Sequence, residues 1–150
     1  MRYSSVTLLP IAAIALTLAG CQQPREIYAD KGWVRLSAVK DHPAVAYFTL
    51  HGGPADATLV SVTSPAVIKT ELHESMTSGS TASMAPVRTV TLPAGGKVDF
   101  APGGKHVMLY DVNPSIKVGD TLPLVFTFSD NLRIQIDAPV IAAGAPAPKG

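Results

Sequence analysis

The sequence predicts an all-β protein, an antiparallel β-sandwich of seven to nine strands. Three observations support this class. Short segments alternate apolar and polar residues, Gly, Pro and Asp residues separate these segments as turn signals, and no segment repeats its apolar residues with a helical period. A single domain is expected, because the roughly 130 residues that follow the N-terminal leader are enough to bury one hydrophobic core.

Nine segments of the chain fit the strand pattern, and turn-forming loops such as HGGPAD, LPAGG and APGGK connect several of them. Two Gly-Gly-Lys triplets, at 95–97 and 103–105, lack the spacing and the following helix of a phosphate-binding loop, so they are interpreted as turns. In chain order, the predicted strands are GWVRLSA (32–38), AVAYFTLH (44–51), ATLVSVT (57–63), VIKTELHE (67–74), SMAPVRTV (83–90), KVDF (97–100), HVMLYDV (106–112), TLPLVFTF (121–128) and NLRIQIDA (131–138).

The last two segments predict a hairpin with one core face, joined by a turn at Ser129 and Asp130. Because side chains alternate along a strand, the apolar residues of equal parity in both segments should face a shared core. These residues are Leu122, Leu124, Phe126 and Phe128 in the first segment and Leu132, Ile134 and Ile136 in the second.

The N-terminal stretch MRYSSVTLLPIAAIALTLAGC predicts a secretory leader, in which a positive charge at Arg2 precedes an apolar run too short for a lasting membrane span. Its Leu-Ala-Gly-Cys ending resembles the signal of bacterial lipoproteins. We therefore expect a signal peptide at 1–20, lipidated Cys21 and a tether at 21–31, the folded domain at 32–140 and a disordered tail at 141–150. The expected location is periplasmic or extracytoplasmic, anchored through Cys21, in the outer membrane if the cell is Gram-negative.

Charge and cysteine usage exclude several function classes. The chain has 12 Lys and Arg against 11 Asp and Glu, and loss of Arg2 with the leader balances the two. No basic patch indicates nucleic acid binding, and membrane contact is expected only through the lipid. Cys21 is the only cysteine, so the folded domain has neither a disulfide nor a thiolate ligand. Any metal site must therefore use His, Met or carboxylate side chains.

The stretch GGKHVMLYDV (103–112) places a histidine and a methionine two residues apart on a predicted strand. Since side chains alternate across a strand, Val107 and Leu109 should face the core. His106, Met108 and Tyr110 then point outward, and the first two are close enough to bind one ion. The same parity in VIKTELHE (67–74) places Lys69, Glu71 and His73 outward and Ile68, Thr70 and Leu72 inward.

Histidines and methionines form one spaced pattern, His-x10-Met-x21-His-x-Met, at His73, Met84, His106 and Met108. Every methionine after the leader, including Met76, lies between positions 73 and 108, whereas methionine in a sandwich is usually a scattered core residue. Two imidazoles and two thioethers form a soft, uncharged set that suits Cu(I) and suits Mg²⁺, Ca²⁺ and Zn²⁺ poorly. The pattern therefore predicts a Cu(I) site.

Together with ELHE, PV, LPAGGKV, PGGKHVML and VGD in this order, the pattern resembles the periplasmic copper chaperones known as PCuAC. The similarity extends from about Trp33 to about Ala138, and all four positions of the family's ligand motif are matched. The resemblance implies a cupredoxin-like β-sandwich that binds one Cu(I) ion per chain at an exposed site, through His73, Met84, His106 and Met108.

The resemblance further implies a non-enzymatic, extracytoplasmic metallochaperone that delivers copper to the copper A centre of cytochrome oxidase. The expected partner is a copper-accepting protein, either cytochrome oxidase subunit II or another assembly chaperone, and the carrier is expected to be a monomer. Two alternatives stay open: a periplasmic copper buffer or tolerance lipoprotein, and a structural β-sandwich lipoprotein without metal function. Blue-copper electron transfer is disfavoured because it requires a cysteine ligand, and a hydrolase because no matching catalytic motif is present.

Residues around the motif have two interpretations each. Met76 is either a reserve ligand in a mobile loop or a loop residue without function. Glu71 and Glu74 flank His73 and either orient its imidazole or form a solvated edge. His51 is expected to be an ordinary surface histidine unless its strand lies beside that of His73.

Overall fold

The computed structural model describes residues 26–149, which contain ten β-strands and no helix. The predicted all-β class is confirmed, whereas the predicted number of seven to nine strands is too low. The strands are β1 Tyr28–Arg35, β2 Ala44–His51, β3 Ala57–Thr63, β4 Val67–Ser78, β5 Thr81–Pro86, β6 Val90–Leu92, β7 Lys97–Phe100, β8 Lys105–Val112, β9 Thr121–Phe128 and β10 Arg133–Ile141.

The additional strand arises because the predicted segment 83–90 divides in two. β5 ends at Pro86 and β6 starts at Val90, and the two strands lie at opposite ends of the strand order. Between them, the backbone N–H of Val87 donates to the carbonyl of Leu72 at 2.8 Å. Proline has no N–H to donate to a ladder, which agrees with the end of β5 at Pro86.

All ten strands follow one hydrogen-bonded order, β5-β4-β8-β7-β2-β1-β10-β9-β3-β6, and β8 also pairs with β2. Most neighbours are antiparallel, but β1 runs parallel to β10 at Val34↔Val140, and β7 runs parallel to β8 at Phe100↔Lys105. The prediction of a purely antiparallel arrangement is therefore wrong. Alternation along a strand indicates which side chains face the core, but it contains no information on the direction of the neighbouring strand.

The hydrophobic core contains residues from strands in both halves of this order. Phe48 on β2 stacks on Phe100 of β7, with ring centroids 4.3 Å apart, and packs edge-to-face with Phe126 of β9 at 4.7 Å. Leu72 on β4 and Val107 on β8 belong to the same buried cluster. Burial of this cluster anchors β4 and β8, the strands that carry three of the four predicted ligands.

The predicted core face of the last hairpin is confirmed in all but one position. On β9, all four predicted residues are at most 1% exposed, and on β10, Ile134 and Ile136 pack against the core. Leu132 is 38% exposed, which contradicts the prediction. It lies in the connection before β10 begins at Arg133, where the alternation of a strand does not yet apply.

Strands lie close to both ends of the described chain. β1 begins at Tyr28, inside the segment 21–31 that the sequence assigned to the anchor and tether. β10 ends at Ile141, and Arg35 Nη2 donates to the carbonyl of Ala145 at 2.9 Å.

The domain boundaries remain predictions, and the signal peptide 1–20 and Cys21 lie outside the described residues. Between residues 26 and 149, no helix is long and apolar enough to cross a membrane.

Candidate metal centre

Three adjacent strands place the four predicted ligands on one face of the sheet. His73 on β4 lies directly opposite His106 on β8, and Met108 on β8 lies opposite Glu71, two residues before His73. Met84 on β5 lies opposite the residue two after His73. Residues directly opposite each other share a face, as do residues two apart on one strand. All four side chains therefore leave the sheet on the same side.

The two methionines flank the histidine pair from opposite directions along the strands. Met108 lies one diagonal step from His73 across the β4–β8 ladder, and Met84 lies one diagonal step from it across the β4–β5 ladder. Diagonal neighbours of this kind are about 7–8 Å apart, within the reach of long side chains. The register thus places a thioether on either side of His73.

The imidazoles of His73 and His106 lie side by side, with ring centroids 5.8 Å apart and planes tilted by 47°. Each ring has one nitrogen in a hydrogen bond: His73 Nε2 lies 3.2 Å from Glu71 Oε2, and His106 Nδ1 lies 3.0 Å from the Gly104 carbonyl oxygen. The other two nitrogens, His73 Nδ1 and His106 Nε2, are buried and have no hydrogen-bond partner among the described residues. Buried polar atoms are rarely left unpaired, so a metal ion bound by both nitrogens fits this arrangement.

The site is more buried than the exposed surface that the parity argument predicted. His106 is only 4% exposed and the His73 side chain 14%, whereas Met84 is 61% exposed. The face assignment of β8 is nevertheless correct, because Val107 and Leu109 are fully buried in the core. On this face the ring of His106 lies beside that of His73, whereas Met108 and Tyr110, further along β8, are only half-buried.

One inward position predicted on β4 is wrong. Ile68 is 84% exposed, although it has the same parity as the buried Leu72. Ile68 lies near the start of β4, where this strand pairs with the last residues of β8. Val67 and its ladder partner Val112 pack against the core instead. The alternation that buries Leu72 therefore does not continue to the start of β4.

Glu71 connects His73 to two further side chains on the same face. Its Oε1 lies 2.8 Å from Lys69 Nζ, and the Tyr110 hydroxyl donates to its Oε2 at 3.1 Å. The hydrogen bond from Lys69, followed by those from His73 and Tyr110, lowers the pKa of Glu71 to about 2. Burial, followed by the hydrogen bond to Glu71, raises the pKa of Tyr110. At neutral pH Glu71 is therefore a carboxylate, which can only accept hydrogen bonds.

The two glutamates beside His73 have different roles. Glu71 hydrogen-bonds to His73, whereas Glu74 forms an ion pair with Lys105 at 2.6 Å. Glu74 and Lys105 lie opposite each other and project from the other face of β4 and β8. Of the two predicted interpretations, an orienting contact fits Glu71, and a partly exposed ion pair fits Glu74.

Sequence reasoning missed two features of this site. The contacts of Lys69 and Tyr110 with Glu71 were not predicted, although the outward parity of all three residues was a usable signal. The contact between His106 and the Gly104 carbonyl had no signal in the sequence, because the local path of the backbone determines where that oxygen points.

Two other candidate residues lie away from the four predicted ligands. Met76 lies opposite Ser83 and projects from the other face of the β4–β5 hairpin. His51 lies on β2, where its Nε2 is 3.0 Å from Asp30 Oδ1 and its ring stacks on Tyr28 at 4.2 Å. The neighbours of β2 are β1, β7 and β8. The strand of His51 therefore does not lie beside β4, the strand of His73.

Methionine side chains are the further soft donors on this face. Within residues 26–149, no three His, Cys, Asp or Glu side chains are grouped closely enough to hold a metal ion. The thioethers of Met84 and Met108 lie on the same face and are available to a metal bound by the two imidazoles. Such a soft, uncharged donor set favours Cu(I) over ions that prefer oxygen ligands.

One family model covers most of the described chain. The family described as "Putative lipoprotein LpqE-like" matches residues 27–140. The chain belongs to this family. A relative from Leifsonia xyli subsp. xyli, "Putative lipoprotein Lxx21020", is 28% identical over 143 residues, which cover 87% of this LpqE-like chain and 86% of the relative. A lipoprotein family agrees with the predicted extracytoplasmic, lipid-anchored location.

Solved structures that share the fold include copper-binding domains. The copper-bound PCuAC domain from PmoF2 matches with a TM-score of 0.66 at 24% identity, covering 81% of this chain and 97% of that domain. The Cu(I) form of DR1885 from Deinococcus radiodurans matches with a TM-score of 0.61 at 27% identity, covering 82% of this chain and 83% of DR1885. The predicted resemblance of this LpqE-like chain to PCuAC proteins is thereby confirmed.

Proposed function

We propose that this protein is an extracytoplasmic Cu(I) metallochaperone with a cupredoxin-like sandwich, which carries one ion per chain at His73, Met84, His106 and Met108. The observation that carries the proposal is a pair of buried nitrogens on adjacent rings, His73 Nδ1 and His106 Nε2, which have no hydrogen-bond partner within residues 26–149. Copper as the cargo is supported by two proteins of similar fold, one described as a copper-bound PCuAC domain and the other as Cu(I)-DR1885.

The unequal exposure of the ligands suits a carrier that must release its ion. Met84 lies on the edge strand β5 and is exposed, whereas His106 lies on an interior strand and is buried. An acceptor has to bind the ion before the carrier lets it go, so its first ligand should enter where the shell is most accessible. We expect Met84 to be replaced first and His106 last.

The acceptor belongs to this proposal as well. We infer delivery to the copper A centre of cytochrome oxidase, either directly to subunit II or through another assembly chaperone. Lipidation at Cys21 would hold the carrier at a membrane, the outer membrane in a Gram-negative cell, and the tether would limit its reach. A monomer suits this role because all four proposed ligands come from one chain.

Copper transfer to a defined acceptor tests the proposed function. The purified protein is loaded anaerobically with one equivalent of Cu(I), mixed with apo cytochrome oxidase subunit II, separated from it, and both fractions are assayed for copper. Movement of copper into subunit II is the expected result. Tight binding without transfer would favour the copper buffer, and absence of stoichiometric binding would favour a structural lipoprotein. Apo subunit II mixed with free Cu(I) chelate at the same concentration is the control for transfer through solution.

A further inference from the structure

Both oxygens of the Glu71 carboxylate are engaged on the face that carries the histidine pair. Oε1 pairs with Lys69 Nζ at 2.8 Å, and Oε2 accepts from the Tyr110 hydroxyl at 3.1 Å while lying 3.2 Å from His73 Nε2. The Lys69 ammonium also lies 5.1 Å from the centre of the Tyr110 ring. Glu71 is therefore held from two sides, and the position of its carboxylate beside His73 does not depend on His73 alone.

The contact with Glu71 determines which nitrogen of His73 carries the proton. A neutral imidazole has one N–H donor and one lone-pair acceptor. Because an ionised carboxylate can only accept, the hydrogen bond requires the proton of His73 on Nε2. The lone pair is then on Nδ1, which is the buried nitrogen without a partner among the described residues.

We propose that Glu71, held by Lys69 and Tyr110, is a positioning residue that keeps His73 in its Nε2–H tautomer and thereby presents Nδ1 to Cu(I). This inference rests on the proposed function for its consequence, the binding of Cu(I), but the tautomer itself is a property of the metal-free protein. Hydrogen-bonded partners of this kind orient a ligating imidazole and raise its basicity.

His106 is oriented in the opposite sense and by a different kind of group. Its Nδ1 lies 3.0 Å from the carbonyl oxygen of Gly104, which also can only accept a hydrogen bond. Nδ1 therefore carries the proton, and the lone pair is on Nε2, the buried nitrogen without a partner among the described residues. The two ligands therefore use different nitrogens. Substitution of a side chain can remove the partner of His73 but not the backbone partner of His106. The tautomer of His106 therefore serves as an internal reference for that of His73.

The chain offers a matched control for a substitution at Glu71. Glu74 is also a glutamate next to His73 in sequence and is also ion-paired, to Lys105 at 2.6 Å, but it projects from the other face. Glu71→Gln and Glu74→Gln each remove one negative charge within two residues of His73 in the sequence. Only the first places an amide, which can donate as well as accept, beside His73 Nε2.

Imidazole ¹⁵N–¹H NMR of the metal-free protein, together with Cu(I) affinity from chelator competition, tests the proposal. In the parent protein and in Glu74→Gln, we expect His73 as the Nε2–H tautomer and His106 as the Nδ1–H tautomer. In Glu71→Gln, the Nε2–H form of His73 should lose population while His106 stays unchanged, and Cu(I) affinity should fall about 10- to 100-fold. Tyr110→Phe should give a smaller change in the same direction, and it keeps the proposal testable if Glu71→Gln does not fold.

Two results would overturn the proposal. One is an unchanged His73 tautomer in Glu71→Gln and in Tyr110→Phe. The other is an equal loss of affinity in Glu71→Gln and Glu74→Gln, which would indicate a general effect of charge or stability. If the parent protein binds no Cu(I) but the tautomer of His73 responds to Glu71, the proposed function fails while the orienting contact stands, so the two failures are distinguishable.

Discussion

His73 and His106 lie directly opposite each other on β4 and β8, with ring centroids 5.8 Å apart. The next pair along the ladder, Leu72 and Val107, is buried in the core on the other face. A slip of this register by one residue would move an entire strand to the wrong face and expose its core side chains. The separation of the two imidazoles is therefore set by the packing of the sheet.

Leucine in place of either methionine should weaken Cu(I) binding and leave the fold intact. Because leucine has a similar volume, Met84→Leu and Met108→Leu should each change the free energy of unfolding by less than about 1.5 kcal/mol. Met76→Leu is the matched control, because Met76 is also exposed but lies on the other face of the β4–β5 hairpin. Chelator competition measures the affinities and thermal unfolding measures the stabilities. Identical affinities in all three variants would remove the methionines from the site.

The Cu(I)-loaded protein should be colourless, because a d¹⁰ ion has no d–d transitions. A blue-copper spectrum requires a cysteine thiolate among the ligands, and the only cysteine of the chain is Cys21 in the predicted leader and anchor region. The absorption spectrum is recorded anaerobically before and after loading. An intense blue band would contradict a Cu(I) carrier and would support electron transfer instead.

Glu71 should remain ionised far into the acid range. Its contacts, led by Lys69, lower its pKa from 4.5 to about 2. A carboxyl whose pKa is lowered by folding contributes stability that is fully present above pH 4.5 and is lost as the pH falls toward 2. Carboxyl ¹³C NMR should place its midpoint well below 4.5, and Lys69→Met should move the midpoint back toward that value. A parent midpoint close to 4.5 would show that these contacts do not form in solution.

Gly52→Ala should destabilise the fold, because a Cβ at this position would lie 2.1 Å from the Pro93 carbonyl oxygen. The Gly52 N–H also donates to the Gly96 carbonyl at 2.7 Å, so the two backbone segments cannot separate without losing this bond. Forced overpacking of this kind typically costs about 1–3 kcal/mol. Gly104→Ala is the control, because the nearest atom to its Cβ, the Ala101 carbonyl oxygen, is 3.6 Å away. Equal urea midpoints for the two variants would contradict the predicted clash.

The features that sequence reasoning predicted correctly are those that local alternation determines. The parity of HVMLYDV placed Val107 and Leu109 in the core and His106 with Met108 on the other face, as the structure has them. The strands around the ligands were also located to within a few residues, because alternating apolar residues and flanking turn signals lie next to each other in the chain.

The features that it missed depend on which strands become neighbours. His106 was expected to be exposed, but it is buried beside the ring of His73 on the neighbouring strand. Ile68 was expected to face the core, but it is exposed and the neighbouring Val67 packs against the core instead. The parallel pairing of Val34 with Val140 joins strands from the two ends of the domain. None of these relationships is contained in a window of a few residues.

An anaerobic Cu(I) titration of the purified protein against a chromophoric chelator tests whether His106 and Met108 bind copper. It is run beside the double variant His106→Ala, Met108→Ala and beside His51→Ala, a histidine that is bound to Asp30 away from the site. We expect one tight equivalent of Cu(I) in the parent protein and in His51→Ala, and loss of that equivalent in the double variant. Equally weak binding by all three proteins would contradict a copper site on this face of the sheet.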